Sequence, residues 1–414
     1  MSTFTLFFCG TSSNARDYNK KNIFHQGELV SSLAQHAAGI EYKDYMIVDG
    51  VGSGNETEFI KFSKSYYGGA LAPIFGSGIA SNMQHALAVV LGFPFSQGNC
   101  ETRKRAQKLL IDSKPAKYSH GGFGVLTKST TPAYDKWLQQ AVELSDDLQA
   151  HMRALVTRIQ TARKNAPITQ LNLIGWSRGG VSCFEFANLL NKHSLAKNIK
   201  VNVFALDPVP GGVNPFKDYK KLGGNVAHFV GVFAEDERST GFKARMPELH
   251  KKTKYYTTFM PGRHGTLVGN AAEDGQQQPI KNTMLSNPGY VTRDFAYKTL
   301  TSWGCQFKAN SFAALTKEQL LGCYQIILAK EVEYAKMQSK SYTKLTNGWF
   351  GKIDAIQRIK STNPQQLKTL FLGLAQQTKY KQNDLVNRHH YDVLMGNSFV
   401  VKGNLSAFPV NTGL

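Results

Sequence analysis

Leu171-Asn-Leu-Ile-Gly-Trp-Ser-Arg-Gly-Gly180 runs four residues of strand character directly into Gly175-Trp-Ser177-Arg-Gly179, a G-x-S-x-G spacing. A helical pattern, Val181, Phe184, Ala187 and Leu190, follows without a gap. Reversing a strand into a helix within one tight turn holds the central Ser in a strained conformation with its hydroxyl exposed at the end of the sheet. Side chains two positions to either side would collide where helix and strand meet, so glycine stands at both. The helix start then aims backbone N–H groups at the same place, which favours a developing oxyanion. Ser177 is therefore the candidate nucleophile. The plainer alternative is a glycine-rich turn whose Ser only caps a helix.

Outward from this turn, short β-branched or aromatic runs alternate with long amphipathic ones. The strands expected are Phe4–Cys9, Tyr45–Val48, Leu171–Ile174, Val201–Leu206, Ala227–Phe233 and Tyr255–Phe259. Helices are expected over Glu28–Ala38, Ser81–Leu91, Trp137–Arg163 and Val181–Leu190. Strands separated by helices predict an α/β fold, a mostly parallel sheet covered on both faces, over residues 1–304. Residues 96–132 break this rhythm. Arg103, Lys104, Arg105, Lys108, Lys114 and Lys117 precede a Gly-rich His120–Gly124, which reads as a surface insertion able to act as a lid. Past Gly304 strand signals fade, and helical spacing takes over in Thr316–Met337 and Pro364–Gln377. Residues 305–414 hold 14 Lys and Arg against 6 Asp and Glu, and read as a basic, mainly helical C-terminal appendage.

The 414 residues are 42% hydrophobic and 19% charged, enough to bury a large core and to exclude wholesale disorder. A formal charge of +20 draws such a chain to anionic partners without choosing among them. The five cysteines form no C-x-x-C pair and no H-E-x-x-H occurs, which argues against a structural zinc or zincin site. The opening Met1–Asn14 lacks a basic n-region and reads as a first strand, so no cleaved Sec-type signal is expected. The most apolar stretch, Ala86–Phe95, is too short to span a bilayer and contains Gly92 and Pro94.

A nucleophilic Ser needs a base and an acid that orients it, in the order Ser, Asp or Glu, His for this architecture. His264, in the loop Pro261-Gly-Arg-His-Gly-Thr266 after an aromatic-rich strand, is the favoured base. His228 lies within an apolar strand and reads as a packed or hydrogen-bonded core residue, while His389-His390 is a remote alternative. Two acids compete. Asp207 ends the strand Val201–Leu206, where side chains project into the crevice of an α/β sheet. Asp236 ends the next strand between Glu235 and Glu237, where a solvated acidic loop is the plain reading. Asp207 is favoured because the carboxylate that steadies an imidazole is usually buried and singular.

These patches resemble the bacterial family of uncharacterised α/β-hydrolase domains that includes phospholipase effectors of type VI secretion systems. Phe7-Phe-Cys-Gly-Thr11 with Asn14 is similar to the family's F-F-D-G-T-x-N, and Asp49-Gly-Val-Gly-Ser-Gly54 to its G-V-G-T-G segment. Gly175–Gly180 resembles its G-F-S-R-G-A elbow, and Pro261–His264 its P-G-x-H. Leu206-Asp-Pro-Val209 resembles the family's Asp turn, and Ala234–Arg238 its A-L-D-E-R. The likeness covers residues 4–270. Cys9 stands where the family has Asp, and the acid that follows the family's base is missing here. The resemblance implies an α/β-hydrolase fold and an oxyanion hole from the backbone N–H groups of Thr11 and Arg178.

Together these readings predict a serine esterase or lipase with Ser177, Asp207 and His264 as its triad, Asp236 being the alternative acid. It would cleave carboxylic esters of phospholipids or other acyl lipids through an acyl-enzyme, without metal or organic cofactor. The basic surface would collect it on an anionic membrane, and the family implies a lipid substrate, a secretion or chaperone partner, and residence in a bacterial cytoplasm before export as an effector into a target cell. Arg238–Arg263, seven basic residues against one acid, leads to His264 and is expected to dock membrane at the mouth of the crevice. The alternative is a catalytically inactive hydrolase-fold protein that binds a partner or membrane through its basic surface. Nucleic acid is an unlikely partner, since no recognised motif accompanies the charge.

Overall fold

The computed structural model describes residues 2–51, 53, 79–93, 150, 153–211, 218–275, 280, 282–310, 314–340, 346–347, 351–370, 390 and 392–393. The expected insertion at 96–132, Gly52, Gly54, His389 and most of the Trp137–Arg163 helix lie outside them; residues 153–165 are helical.

Six strands form one all-parallel sheet: β1 (Thr3–Phe8), β2 (Tyr45–Val48), β3 (Gln170–Trp176), β4 (Lys200–Leu206), β5 (Val226–Ala234) and β6 (Lys254–Met260). Their order is β2-β1-β3-β4-β5-β6. Every expected strand is present, its ends shifted by at most two residues. The pleat sends Leu6, Phe8, Leu173, Val203 and Ala205 to one core, and Phe7, Ile174, Phe204 and Leu206 to the other. The first core is covered by α2 (Ile79–Leu91), residues 153–165, α3 (Arg178–Lys192) and α7 (Pro364–Leu370). The second is covered by α1 (Leu29–His36), α4 (Asn287–Ser302), α5 (Lys317–Ala329) and α6 (Glu331–Met337). Both faces are thus closed, as the α/β reading requires.

Helix α4 had no counterpart in the sequence reading. Its buried residues include Thr292, Arg293, Asp294 and Thr299 beside Val291, Phe295 and Leu300, so no clean apolar stripe marks it. Residues past 304 reach both cores: Leu320, Tyr324, Ile327 and Met337 join the second, and Ile359 and Leu367 the first.

One polar ladder crosses the second core in register. Thr5, Asn172, Asn202 and His228 face one another on four adjacent strands. Asn202 Nδ2 donates to Asn172 Oδ1 at 2.9 Å, and His228 Nδ1 bonds Asn202 Oδ1 at 2.7 Å. The His228 ring stacks on Trp303. Burial, with Lys200 and Lys254 nearby, lowers its pKa to about 4, so it stays neutral at ordinary pH. His228 is the hydrogen-bonded core residue its apolar surroundings imply.

Candidate active site

The strand order reverses between β1 and β3, and the loops beyond their carboxyl ends flank a crevice where α/β sheets bind ligands. Ser177 sits there, between β3 and α3, with φ 58° and ψ −124°. That region suits glycine and strains a residue with a side chain. Leu206 O and Val209 N hold it from the next strand: Ser177 N donates to the first at 3.0 Å and Ser177 O accepts from the second at 3.1 Å.

The flanking glycines have steric causes. A Cβ at Gly175 would lie 2.3 Å from Gly179 O, and one at Gly179 would lie 2.2 Å from Phe8 O. Gly10 packs flat on the Trp176 ring, where a Cβ would fall 2.3 Å from Cε3. These contacts bring the Gly10–Thr11 loop alongside the elbow. Arg178 opens α3, and its guanidinium lies along Gly211, where burial lowers its pKa. Gly179→Ala is expected to cost about 2–3 kcal/mol or more, since the obstacle is backbone that cannot rotate away. Chemical denaturation checks this, and a loss below about 0.5 kcal/mol would show that β1 can yield.

The structure brings His264 and Asp207 together. His264 Nδ1 hydrogen-bonds Asp207 Oδ2 at 2.6 Å, and both side chains are buried. The imidazole is held between Trp176 and Phe242, at centroid separations of 5.0 and 4.9 Å. Trp176 Nε1 also donates to His264 O at 3.2 Å, tying the residue before Ser177 to the base loop. His264 Nε2, though buried, makes no hydrogen bond among the described residues.

Asp207 has a second partner that sequence reasoning missed. Arg358, fully buried, reaches Asp207 Oδ2 from Nη1 at 3.1 Å and Oδ1 from Nη2. Its nitrogens also donate to Phe242 O at 2.8 Å and Ala234 O at 3.0 Å. Burial alone would raise the Asp207 pKa. The Arg358 guanidinium, followed by the His264 bond, outweighs it and holds the carboxyl well below the usual range. No motif marks Arg358, one basic residue among many in its region.

Asp236 does something else. Its Oδ2 accepts from Gly262 N at 2.8 Å, its own N–H donates to Gly262 O at 3.0 Å, and Gln338 donates to Oδ1. It therefore shapes the Pro261–Gly262 turn, where Gly262 takes φ 98°, and its bonds go to Gly262 and Gln338, not to the imidazole. The solvated-loop reading of this segment is corrected: Asp236 and Glu237 are buried, the latter paired with buried Arg263 at 3.1 Å. His390 belongs to a separate buried cluster, bonding Asp294 and Tyr324. Cys9 is buried against Ser31, and burial, with Glu28 and Asp49 nearby, raises its thiol pKa well above the ordinary value.

The expected docking surface also needs correcting. Lys251, Lys252 and Lys254 are exposed, but the first two precede β6 and the third opens it, whereas His264 follows it. A seven-residue strand separates the two by about 20 Å. These lysines lie at the amino ends of the parallel strands, whereas Ser177 lies at the carboxyl ends.

No protein-family model and no curated protein matches this sequence. Seven chains of solved structures do. One, an uncharacterized protein from Pseudomonas aeruginosa, is 14% identical over 81% of this chain, with a TM-score of 0.44. The match covers 50% of that protein, so this chain spans half its length. Another is the Tle1 effector bound to the VgrG spike from the Type 6 secretion system. It is 10% identical, covering 84% of this chain and 81% of that one, with a TM-score of 0.39. No helix among the described residues is long and apolar enough to cross a membrane.

Proposed function

We propose that this chain is a serine hydrolase of carboxylic esters, with phospholipids or other acyl lipids as its substrates. The observation that carries the reading is the state of His264: Nδ1 tied to a buried carboxylate, Nε2 unbonded among the described residues, and the ring packed on the residue preceding a strained Ser. The chain order Ser177, Asp207, His264 is that of the α/β-hydrolase arrangement. In this mechanism Ser177 Oγ attacks the ester carbonyl while His264 Nε2 takes its proton. Backbone N–H groups of Thr11 and Arg178 receive the oxyanion. His264 returns the proton to the leaving alcohol, and water, activated by the same ring, releases the acid from the acyl-enzyme. None of these steps calls for a metal or organic cofactor. Lipid as the substrate class rests on the family resemblance and on the net charge of +20, which favours anionic interfaces. Delivery as an effector, with a secretion partner, rests on the resemblance alone.

A fluorophosphonate probe tests the reading, because only an activated serine reacts. Stoichiometric labelling of the wild type and none of Ser177→Ala is expected. A folded wild type that stays unlabelled would overturn it in favour of a non-catalytic binding protein. Free fatty acid released from a lipid extract, measured by mass spectrometry against the same variant, tests the substrate class.

A further inference from the structure

Away from the candidate site, a cavity of about 760 Å³ opens between the Tyr18–Gln26 loop, the start of α4 and the face of α5. That is within the size range of small-molecule sites, roughly 300–1,000 Å³. Its charged lining residues are Lys21 and Arg293, and among the described residues no carboxylate faces it. Arg293 is buried, its Nη1 reaching Gln26 O at 3.4 Å and its guanidinium lying 5.5 Å from the Tyr290 ring centre. Burial lowers its pKa to about 10, so it is still a full cation at neutral pH. Glu28 and Tyr290 also act on this guanidinium, and where it lines the open cavity it can give an anion a charge-assisted hydrogen bond.

The lining from α5 and the residues before it is mostly apolar, Ala314, Leu315, Cys323 and Ile326 beside Gly322, with Gln319 its polar member. Gly322 stands in the middle of α5, where glycine costs about 1 kcal/mol relative to alanine. Among the described residues, a Cβ there would meet no atom within 4 Å outside its own helix turn. No packing partner among the described residues therefore accounts for the glycine. The helix backbone is bared to the cavity there, a use of glycine where a ligand approaches closely.

We infer that this cavity is a binding site for a single-chain anionic amphiphile, its carboxylate or phosphate head on Arg293 and Lys21 and its tail along Gly322, Leu315 and Ile326. The assignment stands on the cavity's own residues, independently of ester hydrolysis. Three ligands with one tail and different heads test it: decanoate, decyl phosphate and decanol, titrated calorimetrically below micelle formation into full-length Ser177→Ala. Saturable binding of the anions is expected, with decanol about tenfold weaker or more, as loss of a charge-assisted contact dictates. Tighter decanoate would name fatty acids as the source, and tighter decyl phosphate a phospholipid headgroup; either ranking supports the site. Lys21→Glu should weaken both anions by about threefold to tenfold. Gly322→Phe, which fills open space from a helix that gains propensity, should abolish binding with unchanged circular dichroism. Equal affinity for decanol, anion binding that survives Gly322→Phe, or no saturable binding at all would each overturn the inference. Because Ser177→Ala is the background throughout, failure here leaves the hydrolase reading untouched, and an unlabelled serine leaves this site untouched.

Discussion

Ser177→Ala is expected to lower ester turnover by about 10⁴–10⁶-fold with the fold intact, as removal of a triad nucleophile does. The loss is large because the remaining groups act as a unit. In the proposed mechanism the ring of His264 would then have no proton to accept, and the backbone N–H groups of Thr11 and Arg178 would face no covalent oxyanion. Full-progress assays on a short-chain ester and on phospholipid vesicles measure it, and equal turnover by variant and wild type would remove Ser177 from the chemistry. The same position predicts a stability change of the opposite sense. Ser177 holds φ 58° and ψ −124°, at a cost of roughly 1–3 kcal/mol that glycine would not incur. Ser177→Gly should therefore unfold at higher denaturant than wild type while being as inactive as Ser177→Ala. Unchanged stability would mean that the turn stores no strain.

Much of this site was legible in the sequence because its parts carry steric signatures. Gly175 and Gly179 are forced by contacts with each other and with Phe8, so the spacing itself reports a strand crossing a helix. Asp207 was separable from Asp236 because it ends its strand alone, whereas Asp236 sits in a run of acids. The structure gives the two different work, one at the imidazole and one at the Gly262 turn. Arg358 was not legible. It lies 151 residues from Asp207, on a segment whose basic residues look alike, and only three-dimensional packing singles it out. Helix α4 was hidden for a related reason: Arg293 and Asp294 are buried in its interior, so burial and polarity do not separate along it. The basic run after Arg238 misled because sequence proximity to His264 is not spatial proximity when a whole strand intervenes.

Asp207→Asn is expected to cost about 10⁴-fold in turnover, against less than about tenfold for Asp236→Asn, because an amide at position 207 favours the wrong imidazole tautomer. The opposite ranking between two folded variants would transfer the orienting role to Asp236. Asp207 is also the counter-ion of a fully buried guanidinium, so its neutralisation strands Arg358 and should lower stability by about 3–5 kcal/mol. Activity and stability can then be separated. Adding Arg358→Met to Asp207→Asn should recover most of the stability and none of the turnover. Recovery of turnover would mean that the single variant had merely unfolded. Arg358→Met alone adds a pH signature. The folded pKa of Asp207 is depressed below its unfolded value of about 3.9. Its contribution to stability is therefore full above about pH 3.9 and is lost only as pH falls below that towards the folded value. With Arg358 gone, burial is no longer outweighed and the carboxyl takes up its proton sooner. Acid unfolding followed by circular dichroism should begin at higher pH in Arg358→Met than in wild type, and coincident curves would show that the guanidinium does not hold the carboxylate charged.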